Sequence, residues 1–145
     1  MPLVTKHGSI FDSHAQVLVC PVNCVGVMGK GLALEFKEMW PEMYRHYKKV
    51  CDDSGLCPGC VWWWQDVADI VIVTAATKGT WRDPSRLDWV ESCLIKIADI
   101  VGHARSIAIP QLGCGCGGLD WADVWPLYEK HLGDLDCDVE VWIHE

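Results

Sequence analysis

Two kinds of apolar spacing alternate along the chain. Near-continuous apolar runs at residues 16–22, 61–65, 70–74, 106–109 and 139–143 read as strands. Runs without polar alternation suit a sheet covered on both faces. A further strand is expected within residues 4–12, centred on Ser9-Ile-Phe11. Between the strands the period changes. Leu32, Phe36, Met39 or Trp40, Met43 and Tyr47 recur three or four residues apart, which predicts a helical region reaching about Val50. Pro41 suits the first turn of a restarted helix. Leu87, Val90, Leu94, Ile97, Ala98 and Val101 mark a second helix, with Asp83 or Ser85 as cap, Asp88 three residues after Ser85, and Gly102 as its stop. Residues 121–132 are helical in pattern, with Pro126 kinking or restarting them. Strands alternate with helices throughout, so the fold class is α/β, with a central mixed sheet between helical layers. With 145 residues and no repeat or linker, one domain over residues 1–145 is expected. That length buries roughly 68–70% of the unfolded surface.

The breaks between these elements hold the candidate chemistry. Pro21-Val-Asn-Cys-Val-Gly-Val-Met-Gly-Lys-Gly-Leu32 follows a strand and leads into a helix. Gly26, Gly29 and Gly31 allow a tight turn and a close approach to a ligand. The free N–H groups at the helix start favour an anion. Asn23 offers an amide donor and a carbonyl acceptor to a hydroxylated group. The stretch is not a nucleotide-triphosphate loop, because only Val27 and Met28 separate Gly26 from Gly29, and Gly31 follows Lys30. A second glycine run, Gly113-Cys-Gly-Cys-Gly-Gly118, satisfies the dinucleotide-binding pattern between a strand and a helix. Only 27 residues follow it, however, which is too few for the further strands of a dinucleotide-binding sheet. Its successive N–H groups remain suited to wrapping a diphosphate.

Composition narrows the picture. The net charge of −8 excludes a protein that coats nucleic acid by neutralising phosphates, but not one that takes a single modified nucleotide into a pocket. Lys78, Arg82 and Arg86 form a local basic group. No apolar run approaches the ~20 residues of a membrane span, and the first 20 residues lack an apolar signal core, so a cytoplasmic protein off the membrane is expected. The nine cysteines are then expected as reduced thiols, Cys57-Pro-Gly-Cys60 included, with no metal and no pairing. Trp62, Trp63 and Trp64 are expected to straddle the sheet, whereas Trp81, beside Lys78, is placed for contact with a base.

The first glycine stretch, Asn-x-x-Gly-x-Met-Gly-Lys-Gly-x-Ala from Asn23, resembles the first ligand loop of the macrodomain family of ADP-ribose-binding modules. Ile109-Pro-Gln-Leu-Gly-Cys-Gly-Cys-Gly-Gly-Leu-Asp-Trp121 resembles that family's phosphate-binding loop. Thr77-Lys78, with Trp81, is similar to the lysine-bearing loop of the branch that removes ADP-ribose from DNA bases as antitoxin to a DNA-modifying toxin. The resemblance implies a three-layer α/β/α fold and a lysine-dependent ADP-ribosyl glycohydrolase. Its catalytic residues would be Lys78, as nucleophile or acid, and Asn23, which would bond the distal ribose. Val27, Met28, Gly29, Lys30, Gly31 and Leu32 would cradle that ribose. Gly113, Cys114, Gly115, Cys116, Gly117, Gly118 and Leu119 would hold the diphosphate, with Thr77 and Trp81 alongside, and Ser9 and Ile10 would meet the adenine against the end of the last strand. Ser9 stands where many macrodomains carry Asp, and Gly117 where one protein-deribosylating relative carries a catalytic Asp. The implied ligand is ADP-ribose or ADP-ribosylated DNA, and the implied partner is a cognate toxin. The chain is expected to be a monomer without cofactor. A non-catalytic ADP-ribose or nucleotide-signal module is the alternative. A hydrolase of O-acyl or phosphorylated ADP-ribose, or of ADP-ribosylated protein, is another.

Overall fold

In a computed structural model describing residues 3–143, the apolar runs become one six-stranded sheet. In chain order the strands are β1 (Leu3–His7), β2 (Val17–Val22), β3 (Val61–Gln65), β4 (Val71–Ala76), β5 (Ser106–Pro110) and β6 (Asp138–Ile143). Their spatial order is β1-β6-β5-β2-β4-β3, all parallel except β3, which runs antiparallel to β4. Helices α1 (Gly31–Met39) and α2 (Pro41–Asp52) cover one face, and α3 (Leu87–Ile100) and α4 (Trp121–Leu132) the other. This is the expected three-layer arrangement.

The two-residue alternation of a strand explains why the central runs are apolar throughout. Val17 and Val19 of β2 join Val90, Leu94, Ile97, Val124 and Tyr128 in one core. Leu18, Cys20 and Val22 join Phe36, Met43 and Tyr47 in the other. The helical region of residues 31–52 breaks at Trp40, and Pro41 opens α2 as expected. Pro126 lies inside α4 without ending it. On β3, Trp62 and Trp64 pack against the α1–α2 core while Trp63 is exposed, so the tryptophans do straddle the sheet.

Pairing between β2 and β5 covers only Val17–Ile107 and Leu18–Ala108, whereas β2 follows β4 as far as Val22–Ala76, and β5 follows β6 as far as Pro110–Trp142. The two central strands therefore part towards their C-terminal ends. Val71 N–H donates to the Gln16 carbonyl and Thr77 N–H to the Val22 carbonyl, so Pro21 faces away from β4, towards the gap. A proline is tolerated inside this central strand because its missing N–H has no β5 partner to serve at that point.

Four local expectations are corrected. Ser9-Ile-Phe11 is not a strand. Gly8, at φ +115°, ends β1, and Ser9 Oγ accepts the Phe11 N–H to start a single 3-10 turn over Ile10–Asp12. Neither Asp83 nor Ser85 caps α3. Arg86 holds the cap position without a side-chain bond, because Ser85 N–H is drawn to the Gly117 carbonyl (3.0 Å) and Asp83 Oδ2 accepts the Thr80 N–H (2.9 Å). Leu87, expected on the core face, is exposed. Cys57 and Cys60 are disulfide-bonded rather than unpaired. The Pro58-Gly59 turn, with Gly59 at φ +88° and the Cys60 N–H on the Cys57 carbonyl (2.9 Å), brings their Cα atoms within 5.4 Å, inside the span of a disulfide. The other seven cysteines are free.

Tyr128 of α4 ties this layer to the end of β5. Its buried hydroxyl donates to the Pro110 carbonyl and accepts the Leu112 N–H at 2.9 Å. Tyr128→Phe removes one oxygen and leaves both backbone groups buried without a partner, at about 1–3 kcal/mol per group. Urea unfolding of this variant is expected to show a loss of about 2–4 kcal/mol with an unchanged m-value.

Candidate active site

The gap between β2 and β5 lies at the C-terminal ends of parallel strands whose following helices go to opposite faces of the sheet, where α/β proteins place their ligands. Three loops line it, and each is shaped by polar contacts the chain makes with itself.

The first loop is organised by Asn23, buried just past β2. Its Oδ1 accepts the N–H groups of Val25 (3.1 Å) and Val27 (3.2 Å), and its Nδ2 donates to the Val27 carbonyl (2.8 Å). Helix α2 supports the turn from beneath. The Tyr47 hydroxyl lies 2.7 Å from the Asn23 carbonyl and 3.0 Å from its Oδ1, while the Tyr44 hydroxyl donates to the Gly26 carbonyl at 3.1 Å. Burial drives the Tyr47 phenol far above its ordinary pKa, so it stays a donor. Asn23 thus folds the loop with most of its amide and keeps one Nδ2 hydrogen for a ligand.

The lysine-bearing loop is laid against the first. Thr77 N–H donates to the Val22 carbonyl (3.1 Å), Cys24 N–H to the Gly79 carbonyl (2.9 Å), and Cys24 Sγ to the Lys78 carbonyl (3.4 Å). From this fixed backbone the Lys78 side chain crosses the cleft, and its Nζ donates to the Cys116 carbonyl of the glycine loop after β5 at 3.0 Å.

That loop contains two kinds of glycine. A Cβ at Gly117 would stand 2.3 Å from Ser85 Oγ and 2.5 Å from the Gly113 carbonyl. Gly113, at φ +78°, is likewise closed in by Leu119, Val90 and Ser85. Gly115 has open space, and Gly29 of the first loop has nothing closer than 3.7 Å. A carboxylate at position 117 therefore has no room in this chain. Asp120, a neighbouring acid, spends Oδ1 on the Ala122 N–H (3.0 Å) as the cap of α4. Burial raises the thiols of Cys24 and Cys114 to about 11, which keeps them protonated and removes them as nucleophiles at neutral pH.

Together the loops enclose a cleft of about 1310 Å³. It exceeds the ~300–1,000 Å³ of ordinary small-molecule pockets, as an elongated ligand requires. Every residue expected at the site lines it except two. Met28 is buried in the α1–α2 core beneath the loop, as its anchor, and Gly118 lies outside the lining. Sequence reasoning missed Pro21, Glu35, Ser85, Gln111, Trp121 and Trp142. Glu35 had a usable signal, one helical turn beyond Leu32 and Gly31. Trp142 lies at the end of the last strand, where the adenine was expected, though it was not named; Ser85 had no signal, since only the Gly117 contact brings it in. The Ser85 hydroxyl is a buried side-chain oxygen without a partner. Among the described residues, no group of three or more His, Cys, Asp or Glu side chains converges to hold a metal.

Residues 19–128 match the Macro domain family, and the chain belongs to the macrodomain family. It is 37% identical over 143 residues to a Thermus aquaticus protein named DNA ADP-ribosyl glycohydrolase. That alignment covers 95% of this chain but spans only 39% of the relative's length. The macrodomain of Mycobacterium tuberculosis DarG superposes with a TM-score of 0.89 at 34% identity, covering 97% of this chain and 96% of that one. Thermosipho africanus DarTG, solved in complex with ADP-ribose, superposes with a TM-score of 0.88 at 31% identity, over 97% of this chain and 41% of that one.

The two glycine classes give a direct test. Gly117→Ala is expected to lower stability by about 1–3 kcal/mol through overpacking against Ser85 and the Gly113 carbonyl. Gly115→Ala, facing open space, should be neutral or stabilising by under about 1 kcal/mol. Equal denaturation midpoints for the two variants would remove the distinction drawn here.

Proposed function

We propose that this protein hydrolyses the N-glycosidic bond between ADP-ribose and a nucleobase in DNA, with Lys78 at the anomeric carbon. The observation that carries this reading is the Lys78 ammonium suspended between two glycine loops, its Nζ on the Cys116 carbonyl at 3.0 Å. A ligand with its diphosphate on the second loop and its distal ribose on the first brings its anomeric carbon to that nitrogen. There the lysine has two routes. As a free amine it attacks the carbon and displaces the base, which leaves with a proton. The resulting glycosylamine opens its ribose ring to an imine as the ring oxygen takes a proton, and water then hydrolyses the imine. Otherwise the lysine protonates the departing base while water attacks. The named activity of the Thermus aquaticus relative and the ADP-ribose bound to Thermosipho africanus DarTG support this reading. The remaining Nδ2 hydrogen of Asn23 is assigned to a ribose hydroxyl, and Ser9, Ile10 and Trp142 to the adenine end. With the reading comes a monomer acting against a DNA-modifying toxin, as the family branch implies.

Substitution at position 78 tests it. Lys78→Ala should bind ADP-ribose within a few-fold of wild type, since the loop N–H groups carry recognition, while turnover of ADP-ribosylated DNA falls at least ~10²-fold. Lys78→Arg should be nearly as impaired, because guanidinium keeps the charge but neither attacks carbon nor gives up its proton readily. Gly115→Glu should instead abolish the ADP-ribose-induced rise in Tm by placing a carboxylate against the diphosphate. Full rescue by arginine would reduce Lys78 to electrostatic capture, and full activity of Lys78→Ala would move the chemistry to another group.

A further inference from the structure

Beyond Lys78 the chain forms a short ridge, from Trp81 to Trp89, of which only Trp81 has so far been given a role. Trp81 lines the cleft in the same loop as Lys78 and is 53% exposed, whereas Trp142, which also lines it, is 9% exposed. The Arg82 guanidinium lies over the Trp81 ring, 4.6 Å from its centroid. A second stacked pair follows along the chain, Arg86 at 5.3 Å from the Trp89 ring. The ridge is held in place. Thr80 N–H donates to Asp83 Oδ2 (2.9 Å), and Arg82 N–H to Thr80 Oγ1 (3.3 Å).

The charges around it are unevenly committed. Asp83 is engaged with the Thr80 backbone, and Asp88 takes Arg86 at 3.0 Å. Among the described residues no carboxylate pairs with Arg82. An acidic chain of net charge −8 thus carries, beside the half-exposed indole of Trp81 that lines the cleft near Lys78, a guanidinium that no carboxylate pairs among the described residues. Nothing in ADP-ribose extends past its anomeric carbon, so whatever meets this ridge belongs to the group being released. Aromatic rings beside cations are how proteins hold single-stranded nucleic acid, with bases stacked on the rings and phosphates on the cations.

We propose that Trp81 and Arg82 form a subsite for the nucleotide adjoining the modified base in single-stranded DNA. Trp81 stacks on the neighbouring base, and Arg82 takes the phosphate between the two nucleotides. The proposal rests on the reading of the cleft as a DNA-base glycohydrolase site. It makes oligonucleotide context a determinant of specificity that recognition of ADP-ribose alone would not provide.

The test compares an ADP-ribosylated single-stranded oligonucleotide with the same ADP-ribosylated base as a mononucleoside, using the whole chain. Wild type should favour the oligonucleotide by about 10-fold or more in kcat/KM, the scale of one base–aromatic stack. Trp81→Ala should erase most of that preference through KM, and Trp81→Phe should keep most of it. Arg82→Gln should leave mononucleoside turnover unchanged and raise KM for the oligonucleotide. It should also make the slope of log(kcat/KM) against log[salt] shallower by about 0.7, the value for one lost phosphate contact on a single strand. Equal kcat/KM for both substrates in wild type, or an unaltered preference in Trp81→Ala, overturns the subsite while the glycohydrolase reading stands. If wild type releases ADP-ribose from neither substrate but does so from modified protein, the DNA reading itself fails and the subsite falls with it.

Discussion

The separation of β2 from β5 after two residue pairs is the constraint on which the rest of the molecule depends. A parallel sheet continued to its strand ends would close the gap with backbone hydrogen bonds and leave no cleft. Here β2 goes with β4 and β5 with β6, and the strands' own connections send the chain to α1 on one face and to α4 on the other. Each face has its own core, and each core takes residues from both halves of the sheet, so packing holds together the strands whose pairing has ceased. Pro21 removes a donor on the side where pairing has ceased, which disfavours closing the gap.

Across that gap the chain is rejoined by single polar contacts between loops. Cys24 and Gly79 connect the first loop to the lysine loop, Lys78 and Cys116 connect the lysine loop to the second glycine loop, and Ser85 and Gly117 fix the second loop to the start of α3. Each is individually weak, at around 1 kcal/mol net, or somewhat more where the donor is charged. Their sum sets the spacing of the cleft walls. Lys78 is a member of this chain of contacts as well as the proposed reacting group, so the contact that positions its nitrogen in the empty cleft is one that a ligand must exchange for its own.

The strands after the first, the helices and both glycine loops were legible in the sequence because each depends on local spacing: near-continuous apolar runs, period 3.6, and glycines closely spaced between elements. The features that were not legible all depend on partners distant in sequence. Ser85 followed by Asp88 has the form of a capping box, yet Ser85 N–H goes to Gly117, 32 positions away, and the helix starts uncapped. Ser9-Ile-Phe11 looks extended, but Gly8 takes a positive φ that only a turn uses. Trp142 joins the cleft because β6 inserts between β1 and β5, a choice of strand order that periodicity does not encode. Met28 sits among ligand-loop residues and was read with them, yet its side chain turns inward to fill the core under Asn23.

The closeness of Ser85 and the Gly113 carbonyl to Gly117 also bears on descent within the family. The family resemblance matches this position to a catalytic aspartate in one protein-deribosylating relative. This chain cannot reach that arrangement by one codon change, because the first carbon of any side chain there collides with a backbone oxygen as well as with the serine. Shortening Ser85 relieves only one of the two collisions, and the other yields only if the loop itself takes a new path. An acid on the old path would carry the overlap as lost stability, and the new path alone would place no acid in the cleft. A change at this position alone therefore costs stability before it could set an acid beside the proposed lysine, and lineages on either side would be expected to keep the residue they began with.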